Sequence, residues 1–195
     1  NNKNGEPIKD FSASDLRLGW QTRGSKAWHH ELNLPYYGIG AYNVVFSNEE
    51  EIGYPSSIYF FFGAPFKRYS NASFDYEFSF GLSYNWRSFD QHENPFNLAI
   101  GSYKNAYIDA QINHEWYFSK RFSLKSGIRL THFSNGALRH PNAGLNMIAP
   151  SVGVKYDIVA KKPIPLSSIS PQRVQTFSEL NLALTSGMRS VKDTY

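Results

Sequence analysis

Large apolar side chains occupy every second position over long stretches of this chain. In Phe74-Asp75-Tyr76-Glu77-Phe78-Ser79-Phe80-Gly81-Leu82-Ser83-Tyr84-Asn85-Trp86 the even positions are large and apolar, and the odd ones polar or small. Successive side chains of a β-strand point to opposite faces, so this segment is predicted as a strand with one apolar and one polar face. The pattern recurs. Over 106–118, Ala106, Ile108, Ala110, Ile112, His114, Trp116 and Phe118 share a face, opposite Asp109, Gln111, Asn113 and Glu115. Over 121–133, Phe122, Leu124, Ile128 and Leu130 oppose Arg121, Lys125 and Arg129. Over 151–158, Val152, Val154, Tyr156 and Ile158 oppose Lys155 and Asp157. Over 179–188, Leu180, Leu182, Leu184 and Met188 oppose Glu179 and Asn181, and weaker candidates lie at 14–21, 36–47 and 57–67.

Strand length separates two architectures. Strands of globular proteins run about 5–6 residues, whereas a tilted membrane strand needs about 9–11. A soluble up-and-down barrel turns its apolar face inward. A membrane barrel turns it outward to lipid and must close, because no strand edge can be left in hydrocarbon. The long segments favour the second. So do Trp86, Trp116, Phe118 and Phe133, which fall near strand ends where an interfacial aromatic girdle is expected. The expected fold is all-β: an antiparallel transmembrane β-barrel of about eight or more strands over 11–195, after a polar lead-in at 1–10. Ser119-Lys120 is expected as a tight turn, and longer polar connections near 22–35, 87–97 and 135–147. The connector 159–177, with Pro163, Pro165 and Pro171, is not expected to be a regular strand. The predicted segments do not settle into an even strand number. Either the barrel is larger than eight strands or further strands lie outside this chain.

Composition then narrows the functional classes. The 195 residues include 16% aromatic and only 18% charged residues, against about 25% charged in ordinary soluble domains. Alternation explains how a chain so rich in aromatics is still polar on average. With no cysteine, disulfide scaffolds and Cys-based metal sites are excluded. The net charge of +4 comes from scattered Lys and Arg, the densest group being Lys161-Lys162. Nucleic acid is therefore not an expected partner. A weakly basic surface also suits anionic lipid headgroups. Asn1 is neither an initiator Met nor the start of a signal peptide, so a processed or trimmed chain is expected.

The candidate chemistry lies in Thr131-His132-Phe133-Ser134-Asn135-Gly136, followed by Pro141-Asn142-Ala143-Gly144-Leu145-Asn146. His132 and Ser134 are two apart at a strand end, on one side, with backbones about 6.6 Å apart at a rise of about 3.3 Å per residue. An imidazole can lean across that gap to take a hydroxyl proton. The pair continues the apolar face of Phe122, Leu124, Ile128 and Leu130. In a membrane barrel it would therefore meet a substrate lying in the leaflet. The bland alternative is that both side chains only bond to loop backbone or headgroups. His114 lies on an apolar face and reads as an interfacial histidine. His29 and His30 adjoin and point apart, against a shared metal. No cofactor and no metal are expected.

The stretch His132-Phe133-Ser134-Asn135-Gly136, with Pro141-Asn142 and Gly144-Leu145-Asn146, resembles the lipid A 3-O-deacylases of the PagL type and their acyloxyacyl hydrolase relatives. Asn94-Pro95-Phe96-Asn97-Leu98-Ala99-Ile100-Gly101-Ser102 and Phe62-Gly63-Ala64-Pro65-Phe66 carry the same resemblance, which spans roughly 55–158. It implies a Gram-negative outer-membrane barrel that hydrolyses an ester-linked acyl chain of lipid A, with lipopolysaccharide of the outer leaflet as partner. It implies Ser134 as nucleophile and His132 as general base, with Asn135 and Asn142 orienting the site or lining an oxyanion hole. The third triad position, fourteen residues after the histidine, is Glu in such enzymes and Asn146 here. Asn can accept the imidazole N–H but supplies no negative charge. Slower catalysis or lost activity is therefore expected. Two rival readings remain at this point: a catalytically degenerate barrel serving as a structural subunit with membrane-protein partners, and a soluble lipid-carrier barrel with its apolar face inside.

Overall fold

The computed structural model describes residues 10–159. The expected strand at 179–188, and nearly all of the lead-in and of the proline-bearing connector, lie outside these residues. The described chain forms seven strands: β1 (Phe11–Gln21), β2 (Tyr36–Phe46), β3 (Gly53–Arg68), β4 (Ala72–Trp86), β5 (Asn105–Tyr117), β6 (Phe122–Ser134) and β7 (Leu145–Tyr156). Two short helices, α1 (Ala27–Glu31) and α2 (Glu49–Ile52), sit in connections. Each strand pairs antiparallel with the next, in the order β1 to β7. Among the described residues no helix is long and apolar enough to cross a membrane.

The sheet curls into a half-barrel. Side chains of strands at or next to the two edges meet across the concave side: Arg129 of β6 donates to Asp15 of β1 at 2.8 Å, and Lys125 of β6 to the Tyr36 hydroxyl of β2 at 3.0 Å. The outer edges of β1 and β7 are unpaired among the described residues. This is an incomplete β-barrel, since a strand edge cannot face hydrocarbon.

Burial decides which face is inside. Asp75, Glu77, Asp109, Asn113 and Glu115 are at most 3% exposed, whereas Phe80 and Leu82 are 63% and 67% exposed. The apolar face points outward, so the soluble carrier reading fails. Register makes that outer face continuous. Leu18, Ile39, Phe60, Phe80 and Ile108 are successive cross-strand neighbours across five strands. Soluble monomers rarely expose contiguous apolar patches beyond roughly 300–600 Å², and lipid is the solvent that such a face fits. Trp20 and Tyr37 stack at one end of the strands, where Phe122 and Tyr156 also pair.

The concave side has two zones. Midway along the strands is an ionic cluster. Arg129 donates to Asp109 at 2.7 Å, to Asp15 and to the Tyr107 hydroxyl, and lies 4.1 Å from the Tyr42 ring centroid. Arg17 and Lys125 both pair with Glu77. Buried charges need such multiple partners, because an unpaired one costs several kcal/mol, on the order of 3–5. Toward the end that carries Ser134, the inside is apolar instead: Tyr42, Phe46, Ile52, Tyr59, Trp86 and Phe133 are among its residues.

Two aromatic assignments change accordingly. Trp86 and Phe133 are not girdle residues; they are 2% and 0% exposed and pack edge-to-face 4.8 Å apart inside. Phe133 occupies an odd, inward position of β6. Trp86 is turned in because Asn85 takes a left-handed backbone, φ 65°, which breaks the alternation one residue earlier. Trp116 and Phe118 do lie on the outside. β7 also starts earlier than expected, at Leu145 rather than after 147, so Asn146 is a strand residue and not part of a loop. Pro150 lies within β7, whose outer edge is unpaired among the described residues, a place where a strand tolerates proline.

Candidate functional site

β6 runs toward the end of the sheet that holds the connections 47–52, 87–104 and 135–144. His132 is opposite Ile108 of β5 and Asn146 of β7, and Ser134 is opposite Ala106. The cross-strand row of Leu18, Ile39, Phe60, Phe80 and Ile108 therefore continues into His132 and Asn146. The next row toward the loops runs Leu16, Ala41, Ile58, Leu82, Ala106 and Ser134. The polar set interrupts the apolar outer face at its rim. Phe133, between His132 and Ser134, is fully buried and anchors this strand end from inside.

His132 Nδ1 is 2.7 Å from Asn146 Oδ1. With a carbonyl oxygen as acceptor, Nδ1 carries the proton, and Nε2 is left as the basic nitrogen. Fourteen residues of sequence separate the two, but antiparallel pairing makes them direct neighbours. Gly144 permits this entry into β7. Its φ is +73°, and a Cβ there would lie 3.1 Å from His132 Cε1.

Ser134 Oγ accepts two donors, Asn142 Nδ2 at 3.1 Å and the Gly136 backbone N–H at 3.1 Å. Its hydrogen bonds go to these groups and not to His132. Resting enzymes often hold such nucleophile–base contacts open. The Asn135 hydrogen bonds go elsewhere than Ser134 Oγ. Its backbone N–H donates to Asn142 Oδ1 at 3.2 Å, and its side chain to the Arg139 carbonyl at 2.9 Å. Asn135 thus bonds within the loop, and Asn142 is the side chain that reaches the hydroxyl. Gly136 N–H was not legible as a site donor, since a backbone amide has no side-chain signature.

The remaining histidines are elsewhere. The His114 ring lies 4.1 Å from the Trp116 ring on the outer face. His29 is buried in α1, and His30 Nε2 is 2.8 Å from the Gly24 carbonyl. Among the described residues no group of three His, Asp or Glu is placed to hold a metal ion. The 87–104 connection near the site is ordered by Asp90, whose carboxyl is held below the usual range by the backbone N–H groups of Glu93 and His92.

A family model described as lipid A 3-O-deacylase (PagL) matches residues 14–155. No curated protein and no solved structure matches the chain.

Proposed function

The chain belongs to the lipid A 3-O-deacylase (PagL) family, and from that premise we propose that it is an outer-membrane serine esterase that removes an ester-linked acyl chain from lipid A. The observation that carries this reading is the polar set His132, Ser134, Asn142 and Asn146, gathered at the rim of a face otherwise made for lipid. Polar groups there gain nothing from the hydrocarbon, so they need a use.

Ser134 Oγ attacks the acyl carbonyl, and His132 Nε2 takes its proton. The negative charge then moves to the former carbonyl oxygen. Asn142 Nδ2 and Gly136 N–H, which converge on Oγ in the resting state, are the donors close enough to stabilise it. Collapse expels the sugar hydroxyl, protonated by His132. Water, deprotonated by His132 Nε2, then attacks the acyl carbonyl, and collapse breaks the bond to Ser134 Oγ, which takes the proton back as the fatty acid leaves. Asn146 holds the imidazole tautomer but leaves the imidazolium without a counter-charge. The reaction is therefore slower than with Glu.

A second reading rests on that same residue: with Asn146 in place of Glu, the barrel is a degenerate relative serving as a subunit of a membrane assembly. The two separate on covalent labelling. A fluorophosphonate probe should modify Ser134 in the refolded protein, with the adduct mapped by peptide mass spectrometry. An unlabelled Ser134 in a correctly folded barrel would favour the subunit.

A further inference from the structure

The segment that carries Asn142 has little support of its own. Residues 135–144 contain no regular structure, and Asn142 is tied to the end of β6 by its bonds with Ser134 and the Asn135 backbone N–H. The neighbouring connection, 87–104, supplies the missing support. Ala143 N–H donates to the Leu98 carbonyl at 3.2 Å, and Gly144 N–H to the Ala99 carbonyl at 3.1 Å. Asn142, on Ser134, immediately precedes this junction, and Asn146, on His132, follows it by two residues.

The 87–104 connection is itself fastened from within. Asn97 is 2% exposed, and its Nδ2 donates to the Arg87 carbonyl at 2.7 Å and the Glu51 carbonyl at 3.1 Å. Its Oδ1 accepts Ile100 N–H at 3.1 Å, which fixes the turn that presents Leu98 and Ala99. Asn94 makes a parallel set of bonds to Glu51, Arg87 and Ser88 carbonyls. Ile100, fully buried, pins the same turn into the apolar cluster. Gly101 then lets the two connections touch. A Cβ at that position would lie 2.3 Å from the Pro141 carbonyl oxygen and 3.0 Å from that of Arg139. Both are backbone atoms of the Asn142 segment, so any side chain at 101 must displace it.

We propose that Asn97 and Gly101 are positioning residues of the site, holding the 139–144 segment so that the Asn142 amide stays on Ser134 and Asn146 enters β7 opposite His132. The proposal rests on the hydrolase reading for its kinetic consequence, but not for its structural one. Neither residue touches the reacting atoms. They act through the backbone bonds at Ala143 and Gly144.

The test uses the full chain refolded in detergent, with Gly101→Ala and Asn97→Asp as variants. Gly101→Ala adds one methyl group, and Asn97→Asp removes the two amide donors while keeping the acceptor. Hydrogen exchange at the Ala143 and Gly144 amides should quicken at least tenfold in both, with the amides of 123–131 unchanged as the check on folding. For acyl release from lipid A, kcat should fall at least tenfold with KM within twofold. In an Asn142→Ala/Asn146→Ala background the same Gly101→Ala change should cost less than twofold, because both groups it acts through are gone. Wild-type exchange at 143–144, or an undiminished kcat, overturns the proposal. So does an equal loss in the Asn142→Ala/Asn146→Ala background. If the wild type releases no acyl chain, the hydrolase reading fails by itself, and the exchange measurement still decides whether these residues hold the segment.

Discussion

His132 and Asn146 are direct cross-strand partners on the outward face of β6 and β7, with Nδ1 2.7 Å from Oδ1. The amide fixes which imidazole nitrogen is basic but brings no charge. A carboxylate at the same place would strengthen this bond, since charge-assisted hydrogen bonds are roughly twice as strong as neutral ones. Asn146→Glu should therefore raise kcat for acyl release on the order of tenfold, equivalent to about 1.4 kcal/mol of barrier. Asn146→Ala should lower it. A purified Asn146→Glu protein no faster than the wild type would remove Asn146 from the proposed triad.

Asn142 reaches Ser134 through its Nδ2 at 3.1 Å. Loss of one oxyanion donor typically costs a factor of about 10²–10³ in kcat. Asn142→Ala should show a loss of that order with an unchanged heat-modifiable mobility on gels. Asn142→Asp should be no better, because the donor is replaced by an acceptor. Activity within threefold of wild type in both would assign the oxyanion to other groups.

The outward row makes a stability prediction independent of chemistry. Phe80 lies near the middle of β4 and is 63% exposed, between Phe60 and Ile108. Phe80→Arg should destabilise the barrel by about 2–4 kcal/mol in liposomes, as expected for a cation at the bilayer midplane. Urea titration of the refolded variant gives the number. A cost below 0.5 kcal/mol, or solubility without detergent, would contradict the lipid-facing assignment.

On the concave side, Arg129 satisfies Asp15, Asp109 and Tyr107 at once. Arg129→Ala leaves the buried Asp109 carboxylate without its cation, while Asp15 keeps Arg17, and should cost about 3–5 kcal/mol. Pairing it with Asp109→Asn should recover part of that loss in a double-mutant cycle. Strict additivity of the two changes would argue against their coupling.

The alternation carried most of the fold, for a physical reason: a strand face has a period of two and lipid demands that it be kept over the whole strand. It placed β4, β5 and β6 within two residues of their observed limits, and it put His132 and Ser134 on the outside. It failed where side chains obey a different constraint. Trp86 looked like a girdle residue because its parity was right; the left-handed Asn85 turns it inward, and nothing in the pattern marks that turn. Phe133 breaks the polar side of β6 because the barrel interior is apolar near the loops, not wet throughout. Asn146 was read as a loop residue because Asn and Gly surround the start of β7. The proposed pairing of His132 with Ser134 came from residue types and spacing, and Asn142 entered through the family resemblance. The backbone junction at Ala143 and Gly144 was not legible, because it is made by main-chain atoms of two segments about 45 residues apart, a contact only the fold creates.

Mass spectrometry of lipid A from cells producing the wild-type protein or its Ser134→Ala variant bears most directly on the proposed activity. The wild type should remove one acyl chain from lipid A, seen as the loss of a single fatty-acyl mass, and the Ser134→Ala variant should leave lipid A intact. Identical spectra from the two, with both proteins folded in the outer membrane, would contradict the assignment of this barrel as a Ser134-dependent lipid A deacylase.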